Sequence, residues 1–239
     1  MLLIDAGNSR IKWALPEGSV WLHQGSVERT DVVALRQQFA GLQKPDRILV
    51  SNVAGAAVAQ QIRDACSGWN AAPEFISAQA EQCGVRNGYE QAAQLGCDRW
   101  AALIAAWRQV RAACLVVHCG TATTVDALSD SGEFHGGLIL PGIALMRDSL
   151  AAATAGLTAT TGEWRAFPRN TADALASGAI QATVGAILRQ HELLGIPGAP
   201  CLLSGGAAGL VQPRLPLPLE RVDNLVLRGL QIIGMETDR

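Results

Sequence analysis

Hydrophobic and polar positions along this chain alternate in short blocks that suit strands and helices in turn. The opening block is apolar at residues 2–4, stops at a single acid, Asp5, and resumes at residues 11–15 after a Gly-Asn-Ser turn. Apolar and β-branched residues on both sides of such a turn predict the two strands of a hairpin. By the same criteria we predict, in the first half of the chain, strands at 46–52 and 74–78 and helices at 55–66 and 91–112.

The pattern of the opening block returns in the middle of the chain. LLIDAGNSRIKWAL, residues 2–15, aligns without gaps with LVVHCGTATTVDAL, residues 115–128, which sets Asp5 against His118. Each copy is an apolar strand, a polar residue, a glycine, small hydroxyl or amide residues and a second strand. The repeat indicates an internal duplication.

Alternating strand and helix signals together with the duplication predict an α/β protein of two domains, 1–113 and 114–239. In the second domain we predict a strand at 136–143, helices at about 142–155 and at 171–194, a loop at 160–170, a strand that runs into a Gly-Gly turn at 201–210, and a closing helix at 224–234.

Composition narrows the class of protein. The 239 residues are 49% hydrophobic and 17% charged, which favours an ordered chain with a substantial core. A net charge of -2 gives no general attraction for nucleic acid, and no apolar run approaches the roughly 20 residues that span a bilayer. The six cysteines stand singly without metal-site spacing, so we expect reduced thiols and a cytoplasmic protein with no membrane or nucleic-acid partner.

The two glycine-containing turns, at Gly7 and Gly120, are candidates for binding phosphate. A turn of small residues exposes backbone N–H groups that form a nest for phosphate oxygens. Asp5 suits Mg²⁺, held through water, and Lys12 suits phosphate charge. An ordinary hairpin with an edge acid and a Lys is the alternative for either copy alone, and the repetition favours the phosphate site. Further hydroxyl and amide donors in the two turns are Asn8, Ser9, Thr121, Thr123 and Thr124.

The segment GCDRW at residues 96–100 is the candidate for proton transfer. Gly96 allows a sharp entry into a helix, and Asp98 and Arg99 fall in its first turn. Asp98 could accept a proton from a substrate hydroxyl while Arg99 binds an anionic group in bidentate fashion. Alternatively, Asp98 is a helix-start acid paired with Arg99 or Arg108.

Four motifs, taken together, resemble those of the type III pantothenate kinases, which catalyse the first step of coenzyme A synthesis. They are DAGNSRIK at 5–12, GCDR at 96–99, GTATT at 120–124 and GLILPG at 137–142. The resemblance spans nearly the whole chain. It implies the fold of the acetate and sugar kinase/Hsp70/actin group, with two ribonuclease-H-like halves, ATP in a nucleotide cleft between them, and a homodimer.

The resemblance also assigns roles to individual residues. Asp98 is similar to the family's proton acceptor for the pantothenate hydroxyl, and Thr121 to an ATP contact. Asp5 would hold Mg²⁺, and Thr171 would complete the pantothenate pocket at the subunit interface. The residues that resemble the first ATP motif are Asp5, Ala6, Gly7, Asn8, Ser9, Arg10, Ile11 and Lys12, and those that resemble pantothenate-binding positions are Tyr89, Gly96, Cys97, Asp98, Arg99 and Thr171.

One position departs from the family pattern. Where many members carry an Asp that binds an activating K⁺ or NH₄⁺ ion, this chain has His118. Imidazole is a poor ligand for a hard monovalent cation, so we expect weak or absent activation by such ions, or a different cation site. A nucleotide-binding regulatory or accessory protein of the same fold, without kinase turnover, is the alternative to a kinase.

Overall fold

A computed structural model describes residues 1–18, 20–154 and 161–236. The chain forms two compact units. The first contains Met1–Gln109 together with the segment that starts at Asn224, and the second contains Val110–Asp223.

The secondary structure alternates strands and helices in both units. The strands are β1 Leu2–Ala6, β2 Arg10–Glu17, β3 Val20–Glu28, β4 Ile48–Asn52, β5 Pro73–Phe75, β6 Glu81–Gln82, β7 Val85–Asn87, β8 Cys114–Cys119, β9 Ala122–Leu128, β10 Glu133–Pro141, β11 Cys201–Ser204 and β12 Leu219–Arg221. The helices are α1 Val32–Ala40, α2 Ala56–Cys66, α3 Cys97–Val110, α4 Ile143–Ala153, α5 Thr171–Leu194, α6 Ala208–Val211 and α7 Leu225–Glu236, with 3-10 turns at Ala92–Gln94 and Gln212–Arg214.

The two units repeat one arrangement of five strands. In the first unit the order is β3-β2-β1-β4-β5, with β1, β2 and β3 antiparallel and β4 and β5 parallel to β1. In the second unit the order β10-β9-β8-β11-β12 has the same directions. The duplicated α/β architecture predicted from the sequence is therefore confirmed.

The two hairpins differ by one residue in the turn. Asp5 pairs with Lys12 across the first hairpin, whereas His118 pairs with Thr124 across the second. The ungapped alignment set Val125 against Lys12, so it is correct up to the turn and one residue out of register after it. Because neighbouring side chains alternate between the faces of a sheet, Thr124 is the residue that takes the place of Lys12.

The central strand β1 is apolar because both faces of its sheet are covered. Leu2 and Ile4 pack in a core with residues of α1 and α2, and Leu3 packs on the other face with Leu227 and Leu230 of α7. A strand buried on both sides needs an unbroken apolar run. In this unit α3 begins at Cys97, later than the predicted 91–112, because residues 92–94 form a 3-10 turn and Leu95 is extended.

The closing helix α7 belongs to the first unit, whereas the sequence prediction included it in a domain at 114–239. Gly229 lets α7 lie close to α3, because a Cβ atom at this position would overlap the backbone of Ala101 in α3. The carbonyl of Gly234 accepts a hydrogen bond of 3.0 Å from Arg47 Nη1. Periodicity located this helix correctly but carried no information about the sheet on which it packs.

Helix α5 is long and apolar enough to cross a membrane by length and composition alone, the one helix of that kind among the described segments. One third of its most apolar window is buried inside the structure. Its buried face includes Ile180 and Ile187, which pack in the core of the second unit. Asn170 caps its first turn, and Gly195 ends it in the left-handed conformation, at the boundaries predicted from sequence.

Candidate active site

Asp5 lies near the end of β1, between two polar neighbours. It pairs with Lys12 across the β1–β2 hairpin and with Ser51 across the parallel β1–β4 pair. Paired residues on adjacent strands project to the same face of a sheet. The strand end therefore carries a carboxylate, an ammonium group and a hydroxyl on one side.

The protein environment raises the pKa of Asp5 to about 7. Desolvation by burial is the main cause, repulsion from the Asp98 carboxylate adds to it, and attraction to Lys12 opposes it. Two carboxylates thus lie close enough to interact. This is a favourable environment for a divalent cation, which would relieve the repulsion and keep Asp5 ionised.

The described residues contain no group of three or more His, Cys, Asp and Glu side chains arranged to hold a metal. A site for Mg²⁺ does not require one, because this ion binds through one or two carboxylates together with water and substrate phosphate oxygens. Asp5 and Asp98 fit that kind of site.

The first turn of α3 places Asp98 beside this strand end. The Oδ1 atom of Asp98 accepts a hydrogen bond of 2.8 Å from the backbone N–H of Arg99. A Cβ atom on Gly96 would lie 2.6 Å from that oxygen, so glycine leaves room for this rotamer. The Cys97 thiol and the buried hydroxyl of Ser51 lie 3.4 Å apart, which links the start of α3 to β4. Sequence reasoning missed Ser51, which looks like one more polar residue at the end of a strand.

Arg99 and Tyr89 form a second pair in the same unit. Arg99 is only 6% exposed, its Nη1 donates a hydrogen bond of 2.9 Å to the Tyr89 hydroxyl, and its guanidinium lies 5.7 Å from the centre of the Tyr89 ring. A guanidinium carries five N–H donors in a planar fork, a geometry that matches a carboxylate or phosphate group.

The turn after β1 is held by its own backbone and by Arg29. The N–H of Gly7 donates to the carbonyl of Arg10 at 3.0 Å, and Arg29 Nε donates to the carbonyl of Asn8 at 2.9 Å. Arg10 forms an ion pair of 2.9 Å with Glu28 on β3. The predicted phosphate turn is thus a defined structure with Asn8 and Ser9 at its exposed tip.

The turn after β8 in the second unit is formed by three segments. The N–H of Gly142 donates to the carbonyl of Thr121 at 2.9 Å, and a Cβ atom on Gly142 or Gly205 would collide with backbone atoms of this turn or of Cys119. A Cβ atom on Gly120 would lie 2.9 Å from His118 Nε2, so the imidazole packs against the turn. The glycines of GLILPG and LLSGG therefore allow close backbone packing around Thr121.

Thr171 is the first residue of α5, also in the second unit. It lies at a cavity of about 580 Å³ between α4 and α5, whose lining includes Met146, Leu150 and Leu175. The surroundings of this predicted pantothenate contact are almost entirely apolar.

Within the first unit the structure brings together Asp5 and Asp98, and separately Tyr89 and Arg99. Thr121, Thr171 and His118 lie in the second unit. Each unit therefore carries part of the predicted set, on the strand ends and helix starts where the sequence motifs indicated it.

Comparison with known proteins decides the family. A model of the type III pantothenate kinases matches residues 1–192. The chain belongs to the type III pantothenate kinase family. A relative of that name from Aromatoleum aromaticum is 51% identical over 99% of this chain and 98% of its own length. This family membership confirms the resemblance and the kinase class, and it gives no support to the accessory-protein alternative.

Solved structures show that the fold is shared beyond the family. A Campylobacter jejuni protein proposed as a Baf family transcriptional activator superimposes with a TM-score of 0.63 at 23% identity, covering all of both chains. A Sinorhizobium meliloti protein proposed as a 2-dehydro-3-deoxygalactonokinase gives 0.61 at 16% identity, covering 99% of this chain and 98% of that one. At these identities the likeness concerns the fold alone, and it agrees with two ribonuclease-H-like halves.

The raised pKa of Asp5 predicts a pH-dependent stability. Folding raises the pKa from 3.8 to about 7, so between these pH values the folded state binds more protons and stability falls as pH rises. Asp5→Asn should therefore unfold at higher urea concentration than the wild type at pH 8, with little difference at pH 4. The exposed Asp130→Asn serves as control. Equal effects of Asp5→Asn at both pH values would contradict the assignment.

Proposed function

We propose that the protein transfers the γ-phosphate of ATP to the primary hydroxyl of pantothenate, giving 4'-phosphopantothenate, the first step of coenzyme A synthesis. The observation that carries this proposal is the interaction of Asp5 with Asp98 and Lys12 in a chain that belongs to the pantothenate kinase family. Asp98 can accept the proton of the pantothenate hydroxyl, Lys12 can balance phosphate charge, and Asp5 can hold the metal ion.

The residues divide the work in the following way. The carboxylate of Asp98 accepts the proton of the pantothenate hydroxyl. At the same time the hydroxyl oxygen forms a bond to the γ-phosphorus, and the bond from the γ-phosphorus to the β–γ bridging oxygen breaks. Arg99, together with Tyr89, holds the pantothenate carboxylate, and Thr171 is a further polar partner. The turn from Asp5 to Lys12 and Thr121 bind the ATP phosphates, mainly through backbone N–H groups.

Mg²⁺ is the cofactor that this proposal includes beside ATP, with Asp5 holding it through water. When bound, it neutralises charge on the transferred phosphoryl group. Lys12 adds a positive charge on the same face of the sheet. The donor set of the first unit supports this assignment, because two interacting carboxylates favour a divalent ion.

Direct detection of phosphorylated pantothenate by mass spectrometry tests the proposal, with ADP release measured with and without pantothenate. Pantothenate-dependent ADP release and a phosphorylated product are expected. ATP binding without turnover under the same conditions would contradict the proposed kinase activity and favour a nucleotide-binding accessory protein.

We propose that activation by K⁺ or NH₄⁺ is weak or absent. His118 pairs with Thr124 and with Ser204, so an imidazole between two hydroxyl residues stands where the family pattern has an Asp. We expect a nearly flat dependence of the rate on KCl at constant ionic strength, and a gain of potassium activation in His118→Asp. A strong potassium requirement that survives His118→Ala would contradict this account.

We propose that the protein is a homodimer in which a second copy covers the cavity beside Thr171. The support is the apolar lining, with Leu150 48% exposed. Light scattering should give about twice the chain mass of 25.1 kDa, and Leu150→Glu should lower it toward the single-chain value. The matched control is Leu193→Glu, on the exposed last turn of α5. A single-chain mass for the wild type would contradict the dimer.

A cytoplasmic location completes the proposal. All six cysteines are free, including Cys119 and Cys201, which lie near enough for their thiols to interact. Free thiols in such proximity suit a reducing compartment.

A further inference from the structure

The segment that carries Tyr89 is organised by one amide side chain, that of Asn87. The Asn87 Oδ1 atom accepts a hydrogen bond of 3.1 Å from the backbone N–H of Tyr89. Its Nδ2 donates to the carbonyls of Gln79 and Ala92, both at 3.2 Å. The Asn87 amide therefore binds the backbone at three places, which lie both before and after it in the chain.

These three bonds fix the loop on both sides of Tyr89. The bond to the Tyr89 N–H closes an Asx turn, and the bond to Ala92 holds the start of the 3-10 turn that precedes Gly96. The bond to Gln79 ties the loop to the chain that enters the β6–β7 hairpin. The backbone of Tyr89 is thereby set relative to the segment that leads into α3.

The hairpin before this loop is anchored independently of Asn87. Trp100, which is fully buried in α3, donates its indole N–H to Gln82 Oε1 at 3.0 Å. The backbone N–H of Cys83 donates to Glu236 Oε2 at 3.1 Å. Loss of the Asn87 amide should therefore release the loop while leaving the hairpin in place.

We infer that Asn87 is a positioning residue that acts through Tyr89 on Arg99. Its amide holds the phenol where it accepts the hydrogen bond from Arg99 Nη1, and so orients the guanidinium toward an anionic group of the substrate. The identity of that group, the pantothenate carboxylate, rests on the proposed function. The arrangement of Asn87, Tyr89 and Arg99 does not depend on it.

An amide is required because the site needs an acceptor and donors together. Asn87→Asp keeps an oxygen for the Tyr89 N–H but replaces both donors with an oxygen that faces two carbonyls. The change is nearly isosteric, so the loss reports on hydrogen bonding. Gln94→Glu is the matched control, because it makes the same amide-to-acid change on an exposed residue of the adjacent 3-10 turn.

Kinetics give the first test. Asn87→Asp should raise the KM for pantothenate about tenfold, the effect of losing about 1.4 kcal/mol, while kcat and the KM for ATP change less than threefold. In a Tyr89→Phe background the same substitution should add less than twofold, because the two residues act as one unit. Independent, multiplicative effects, or a Gln94→Glu variant as impaired as Asn87→Asp, would overturn the inference.

Spectroscopy gives a second test that needs no turnover. Tyr89 is the only tyrosine in the chain, so 3-fluorotyrosine labelling yields a single ¹⁹F signal from this residue. The wild type and Gln94→Glu should give one narrow resonance, and Asn87→Asp a broadened or split one. If Asn87→Asp does not fold, Asn87→Ser, which keeps a short acceptor and one donor, replaces it. An unchanged signal in the folded variant would refute the positioning role.

The two tests separate this inference from the proposed function. If the wild type does not phosphorylate pantothenate, the proposed function fails, and the ¹⁹F signal still decides whether Asn87 positions Tyr89. If the wild type is active and the ¹⁹F signal of Asn87→Asp matches that of the wild type, only the inference about Asn87 fails.

Discussion

Asp98→Asn should lower kcat by about a thousandfold and leave the affinity for ATP within twofold of the wild type. The substitution keeps the size of the side chain and an oxygen for the Arg99 N–H, but it removes the carboxylate that accepts the hydroxyl proton. It also removes the repulsion that helps to raise the pKa of Asp5, so that pKa should fall while burial continues to hold it up. Steady-state kinetics with pantothenate and calorimetric titration with ATP measure the two effects.

The matched control is Asp130→Asn, which makes the same change on an exposed loop of the second unit. It should retain wild-type kcat. An Asp98→Asn enzyme with unchanged kcat would remove Asp98 from the role of proton acceptor. Equal loss of kcat and ATP affinity would instead indicate that the residue supports the nucleotide site.

Gly229→Ala should destabilise the first unit by about 3 kcal/mol. The added methyl group would overlap backbone atoms of Ala101, and a backbone cannot rotate away as a side chain can. Helices α3 and α7 must therefore separate, which disturbs the helix whose first turn carries Asp98. The urea midpoint, followed by circular dichroism, should fall.

Gly185→Ala provides the opposite control. Gly185 lies on the exposed side of α5 with open space around its Cα atom, so alanine should stabilise the helix by about 0.5–1 kcal/mol. A Gly229→Ala protein as stable as Gly185→Ala would show that α7 does not pack on α3 as described.

The elements with strong periodicity were predictable from the sequence. Helix α5 was predicted at its observed bounds, because its apolar residues recur regularly and Asn170 and Gly195 mark its ends. Strands β1 and β8 were predicted from unbroken apolar runs, and their repetition revealed the duplicated architecture. These signals are local, so a single sequence is enough to show them.

The elements that were missed depend on their neighbours. Strand β3 mixes polar and apolar residues without regular alternation, because it lies at the edge of its sheet and is largely exposed. Helix α1 and the short strands β6, β7 and β12 lack a long repeating pattern. Helix α1 packs through Leu35 and Phe39, and β12 pairs with β11, so these elements depend on neighbours that a local pattern does not record.

The candidate site was predictable where a residue type carries the chemistry. Asp5, Asp98 and Arg99 were selected by charge and motif; the structure places Asp5 near Asp98 and bonds Arg99 to Tyr89, and their roles stay predictions. Asn87 and Ser51 were missed because their contribution is geometric. A single amide among other polar residues in a loop gives no signal until the three backbone groups that it binds are known.

The return of α7 to the first unit has a consequence for synthesis of the chain. The face of the first sheet at Leu3 and Leu49 is covered by Leu227 and Leu230, which are translated after the whole of the second unit. The first unit therefore emerges from the ribosome with one apolar face uncovered. It completes its core only when the chain up to residue 236 has left the ribosome. Nascent chains arrested before residue 224 should bind chaperones through this face, and release of α7 should end that binding.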